Sequence, residues 1–144
     1  MILNRQREVR VARPALDLFL RRAKRELGLE KSDVTVCLVS DKAITGLNRE
    51  FRKKMGPTDV LSFPGGERSK ASAGRKREAV YLGDIAIAPA TARRYARKHG
   101  RPLAMELRVL ILHGLLHLLG YDHETDHGEM DRIEQRLRKR FGLK

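Results

Sequence analysis

The stretch His113-Gly114-Leu115-Leu116-His117-Leu118-Leu119-Gly120-Tyr121-Asp122-His123 sets three of the chain's five histidines within eleven residues, two of them inside a leucine-rich helix. Pro102 opens that helix, which continues to Leu119 before Gly120 stops it. Residues four apart on a helix differ by about 40° in azimuth and lie one turn apart, so His113 and His117 can point at one ion. Burying two neutral imidazoles among Leu112, Leu115, Leu116, Leu118 and Leu119 leaves ring nitrogens in need of partners, and a metal satisfies them together. A sharp turn at Gly120 can then bring His123 back over the same face as a third nitrogen ligand, leaving one position open. Zinc is the default ion for three imidazoles, and nickel or another divalent ion fits almost as well. The plainer alternative makes them core and helix-end histidines, with His123 against the helix dipole.

At 144 residues the chain has room for one core, hence a single domain over residues 1–144. Apolar residues at 41% and charged ones at 34% fit a soluble globular protein rather than a disordered one. The net charge of +13 favours a polyanionic partner. Arginine outnumbers lysine by 21 to 10, and the guanidinium fork matches phosphate oxygens better than an ammonium does, so nucleic acid is preferred. No apolar run approaches the roughly 18 residues of a membrane span, and Met1 to Val11 does not read as a signal peptide. Cys37, the only cysteine, fits a reducing cytoplasm and reads as a small buried hydrophobe.

The remaining punctuation predicts a mixed α/β domain of the α+β type, with one small sheet and about five or six helices. A helix starts near Pro14 and stops at Gly28, and residues 33–39 form a buried strand. Ser40-Asp41 caps a short helix running to about Phe51. Val60 to Phe63 is a second strand, ended by Pro64-Gly65-Gly66, and a third runs through Val80-Tyr81-Leu82 and Asp84 to Ala88. Pro89 opens a helix through Arg97 that Gly100 ends, and an amphipathic helix runs from near Asp126 to Phe141. Gly65 to Ala79 reads as a flexible basic loop.

The spacing H-x3-H-x5-H also matches the metzincin peptidase signature, except that the general-base glutamate is replaced by Gly114, which cannot take a proton. The same stretch resembles the signature of the YbeY family of bacterial endoribonucleases. Upstream, Leu47-Asn48-Arg49-Glu50-Phe51-Arg52, then Pro57-Thr58-Asp59-Val60-Leu61-Ser62-Phe63-Pro64, resembles that family's second block, and Leu82-Gly83-Asp84-Ile85 its third. The resemblance implies a zinc site from His113, His117 and His123, and cleavage of single-stranded RNA. It further implies a cytoplasmic role in ribosomal RNA processing, including maturation of the small-subunit rRNA 3′ end and ribosome quality control. Its partners would be ribosomal RNA, the small ribosomal subunit, and ribosomal proteins or an assembly GTPase. The family's essential arginine carries over to Arg52, which with His113 makes up the catalytic pair. Physically, such an arginine can clamp the scissile phosphate while a metal polarises a phosphoryl oxygen or activates water.

Asp122 and Asp84 are candidate ligand-orienting or base residues, against turn-forming and strand-end roles. Glu106 reads as a first-turn helix charge, His99 as a helix-end residue, His127 as solvated and Met130 as packing. Basic residues around Arg49 to Lys54, in the loop with Arg68, Lys70, Arg75, Lys76 and Arg77, and at Arg93, Arg94, Arg97 and Lys98 are expected to contact RNA through its backbone. Aromatic residues total only 5%, so extensive base stacking is not expected. Two competing functions are a metzincin-like zinc peptidase, and a non-catalytic ribosome-assembly factor in which the metal only ties the helix end to the following turn.

Overall fold

A helix that is apolar on every side has to be enclosed, and the domain is built around one. The computed structural model describes residues 1–65, 80–122 and 124–143. Along the chain these form β1 (Ile2–Asn4), α1 (Arg13–Glu26), β2 (Ser32–Leu38), α2 (Asp41–Arg52), β3 (Val60–Pro64), β4 (Val80–Ile87), α3 (Pro89–Lys98), α4 (Leu103–Leu118) and α5 (Glu129–Arg140). The sheet order is β1-β2-β4-β3, with β1, β2 and β4 parallel and β3 antiparallel to β4. This is the small mixed sheet of the expected α+β class. Among the described residues no helix is long and apolar enough to cross a membrane.

In α4, Ile111, Leu112, Leu115 and Leu116 are each 0% exposed. Ile111 and Leu115 pack towards the sheet with Ile85, Ile87, Val36 and the α1 residues Phe19 and Leu20. Leu112 and Leu116 pack the other way, against Met130 and Leu137 of α5. Each such side chain contributes about 1.5–3 kcal/mol on burial, so α4 is where hydrophobic stabilisation concentrates. The opposite sheet face is covered by α2, through Ile44 and Leu47 on Leu61, Phe63 and Ala86.

Two glycines set how closely α4 lies on the sheet. A Cβ on Gly114 would sit 2.8 Å from Ile85 Cδ1 and 2.9 Å from its Cγ2. Gly83 in β4, at φ +150°, has Leu118 Cδ2 2.7 Å from where its Cβ would be. The absence of a glutamate at position 114 therefore has a packing cause: any side chain there meets β4. Gly114→Ala is expected to cost about 1–3 kcal/mol by overpacking. A lowered denaturant midpoint at unchanged slope is the expected readout, and a midpoint within error of wild type would contradict the close approach.

The element ends follow the expected punctuation. Ser40 Oγ accepts from the Ala43 amide at 3.1 Å, capping α2, and proline stands in the first turn of α1 and α3 and at the N-cap of α4. Two features differ. β1 is a fourth strand that the arginine-interrupted N-terminal segment did not reveal; it pairs Ile2 with Val36 and buries Ile2 to 1% exposure. Helix α5 begins at Glu129 rather than Asp126, because Gly128 takes φ +95° and the Asp126 carboxylate accepts from the Gly128 and Met130 amides. The expected basic loop lies, from residue 66 to 79, outside the described residues.

Candidate active site

Two stretches far apart in sequence line one cleft of about 590 Å³: the end of α2 running through the following loop into β3, and the end of α4 with the turn that follows. Arg52, His113 and His117 all line it. These sequence-predicted residues are thus brought together across sixty positions of chain.

The turn after α4 is a Schellman motif: the Gly120 amide donates to the His117 carbonyl at 2.9 Å and the Tyr121 amide to the Leu116 carbonyl at 3.1 Å, with Gly120 at φ +100°. Tyr121 and Leu116 share one apolar cluster, as that motif favours. The reversal carries Tyr121, Asp122 and Glu124 into the cleft wall. His123 lies outside the described residues, and so does its expected role as third ligand. Among the described residues, no group of three His, Cys, Asp or Glu side chains forms a ligand set.

The two helical histidines converge. Their Nε2 atoms are 3.0 Å apart, and the rings stand edge to face at 75°. On its far side, His113 Nδ1 is 2.7 Å from Glu134 Oε1, in a pair whose side chains are 26% and 13% exposed. With the carboxylate as acceptor, Nδ1 carries the proton and Nε2 turns its lone pair to the cleft. A carboxylate behind an imidazole is the arrangement that fixes the tautomer of metal-ligating histidines. Two nitrogens each about 2.0 Å from one tetrahedral ion lie roughly 3.3 Å apart, so the donor pair fits a zinc-like ion.

Glu134 was missed at the sequence level, though a signal existed. It stands four residues after Met130 and three before Leu137, both buried, which puts an acid on the apolar stripe of α5.

Across the cleft, Arg52 Nη2 is 3.5 Å from Glu124 Oε1, with side chains 45% and 61% exposed. Such an exposed, long pair is weak, leaving the guanidinium available to an anion. Its position is set by Asn48, 4% exposed, whose Nδ2 donates to the Gly56 carbonyl at 3.0 Å while its own carbonyl accepts from the Lys54 amide at 3.3 Å. These bonds hold the turn in which Lys53 adopts φ 55°. Asp59 is another wall residue. Burial pushes its carboxyl above the ordinary value and Glu106 adds to the rise, while main-chain amides and His113 oppose it.

The other candidates separate clearly. Asp122 lines the cleft, but its Oδ1 accepts the Glu124 amide at 3.0 Å, which is turn chemistry. Asp84 accepts from the Tyr81 hydroxyl and is not among the cleft-lining residues. Glu106 is a first-turn charge as expected, and also 7% exposed and bound to Arg101 at 2.7 Å. His99 Nδ1 bonds the Tyr95 carbonyl at the end of α3, His127 is exposed, and Met130 is buried in the core.

Fold and cleft together define a small α+β domain with a histidine pair backed by a carboxylate and faced by an arginine. A family model described as Endoribonuclease YbeY matches residues 2–142, and the chain belongs to that family. It is 43% identical over 143 residues to a protein named endoribonuclease YbeY from Koribacter versatilis, covering 99% of this chain and 86% of that one. A protein of the same name from Aquifex aeolicus is 41% identical over 134 residues, covering 93% and 85%. The solution structure of TM1509 from Thermotoga maritima superposes with a TM-score of 0.64 at 30% identity, covering 99% of this chain and 90% of that one.

Proposed function

We propose that this protein is an endoribonuclease that hydrolyses single-stranded ribosomal RNA with the help of one divalent ion, zinc by donor type. The observation that carries the reading is the convergence of His113 and His117 Nε2 at 3.0 Å in the cleft that Arg52 also lines. The names of its relatives support RNA cleavage, and the +13 charge suits a polyanionic substrate. The ion would be held by His113, His117 and His123, and when bound it supplies Lewis-acid stabilisation of developing negative charge.

The protein's own residues do the rest. Arg52 binds the scissile phosphate through its planar fork, holding the reacting group and offsetting charge that grows on its oxygens. Glu134 keeps His113 in the tautomer whose Nε2 faces the cleft. Asn48 holds the turn that aims Arg52. Asp59, Asp122 and Glu124 are the carboxyl groups of the cleft wall. The biological setting we infer is the cytoplasm, with the small ribosomal subunit, its proteins and an assembly GTPase as partners, in maturation of the rRNA 3′ end and ribosome quality control.

Removing metal with a chelator is expected to abolish cleavage of a single-stranded rRNA fragment, and adding back zinc to restore it. Undiminished cleavage by metal-free protein, verified by elemental analysis, would overturn the metal's role. Glu134→Gln is expected to weaken metal affinity by about 10–100-fold, read by competition with a chromophoric chelator. An unchanged affinity would make the Glu134 contact purely structural.

A further inference from the structure

We propose that Phe51, braced by Phe63, is a stacking platform for one unpaired base of the RNA strand whose phosphate Arg52 holds; this rests on the RNA-cleaving reading above. Phe51 is a large apolar side chain left 58% exposed at the end of α2, and Met55, which lines the cleft, is 86% exposed. The Phe51 ring meets Phe63 edge to face, with centroids 5.2 Å apart and planes at 74°. Phe63 in turn packs into the cluster of Ile44, Leu61 and Ala86, so the outer ring leans on the core instead of swinging free.

This ring stands beside the cleft and not in its wall, since neither Phe51 nor Phe63 lines it. Phe51 immediately precedes Arg52, and Phe63 lies between Ser62 and Pro64; all three of those neighbours line the cleft. Because Asn48 pins the following turn to Gly56, the ring and the guanidinium are carried on one stiff segment. Arg49, Lys53 and Lys54 flank it, with Glu50 as the one acid among them.

Charge and area choose the occupant. The patch is apolar but set among cations, so its ligand must offer a flat apolar face next to negative charge, which a nucleotide does. A protein partner needs roughly 800 Å² on each side, far more than two side chains provide. Stacking on an aromatic ring accepts any base, since every base has a π-face. It does reject a duplex, whose base faces are covered, so the platform gives a physical basis for preferring single strands.

The test is binding, separate from cleavage. Fluorescence anisotropy is measured for full-length wild type, Phe51→Ala, Phe51→Leu and Phe51→Tyr. The probes are a fluorescein-labelled 2′-O-methyl adenosine octamer and an abasic octamer of equal charge, with their integrity checked on gels. Wild type is expected to bind the base-bearing octamer at least about fivefold more tightly than the abasic one. That preference should disappear in Phe51→Ala and in Phe51→Leu, which keeps apolar volume without a ring, and survive in Phe51→Tyr. If Phe51→Leu keeps the preference, or wild type binds both octamers alike, the platform is overturned while RNA binding stands. An affinity for the base-bearing octamer that is unchanged in Phe51→Ala removes Phe51 from the RNA contact and equally overturns it. Wild type that binds neither octamer removes the RNA reading along with the platform.

Discussion

Purified His117→Ala protein is expected to come off the column without its divalent ion and to lose RNA cleavage by more than the roughly 100-fold upper range seen when only a ligand's outer partner is removed. The reason is geometric. His117 Nε2 stands 3.0 Å from His113 Nε2, so deleting it leaves one helical donor where two converge. The fold should survive, because His117 is half-buried at the helix end while the neighbouring Leu115 and Leu116 carry the burial. Elemental analysis and a thermal melt on the same sample separate the two effects. A metal-free but folded variant supports the ligand role. One that keeps a full equivalent of metal and normal cleavage would remove His117 from the site.

Arg52→Ala is expected to keep its metal and its fold and yet cut RNA about 10²–10³-fold more slowly, the usual consequence of losing one group that stabilises transition-state charge. Its link to Glu124 is long and solvent-exposed, so stability should change by less than about 1 kcal/mol. Arg52→Lys restores the charge but not the two-pronged geometry and should recover only part of the rate. Full recovery with lysine would mean that Arg52 acts as a point charge and not as a clamp. An unchanged rate in Arg52→Ala would place it among the many solvated cations of this chain.

How far these features could be read from the sequence depended on how local their causes are. The histidine pair was legible because helix geometry alone puts residues four apart on one side, and α4 itself because Pro102 and Gly120 bracket an apolar run. Arg52 was not distinguishable from Lys53 and Lys54 by charge pattern. Only the family resemblance selected it, and what sets it apart in the structure, a shared cleft with residues sixty positions away, is tertiary. Gly114 could be recognised as a departure from a peptidase motif, whereas its cause, the closeness of Ile85, exists only in the packed state. β1 escaped notice because three residues pairing in parallel with a strand some thirty positions on leave almost no local pattern. Glu134 was a readable anomaly, an acid on a buried stripe, whose partner lay on another helix.

The central claim, that His113 and Arg52 act together on RNA in one cleft, is tested most directly by cleavage of an end-labelled single-stranded ribosomal RNA fragment. Wild type, Arg52→Ala and His113→Ala are purified identically to control for contaminating ribonuclease, with folding and metal content checked in each. Defined cuts by wild type that vanish in both folded variants are the predicted result. If all three proteins cut alike, or none cuts across a range of divalent metals, the catalytic claim is contradicted and the cleft belongs instead to a non-catalytic assembly factor.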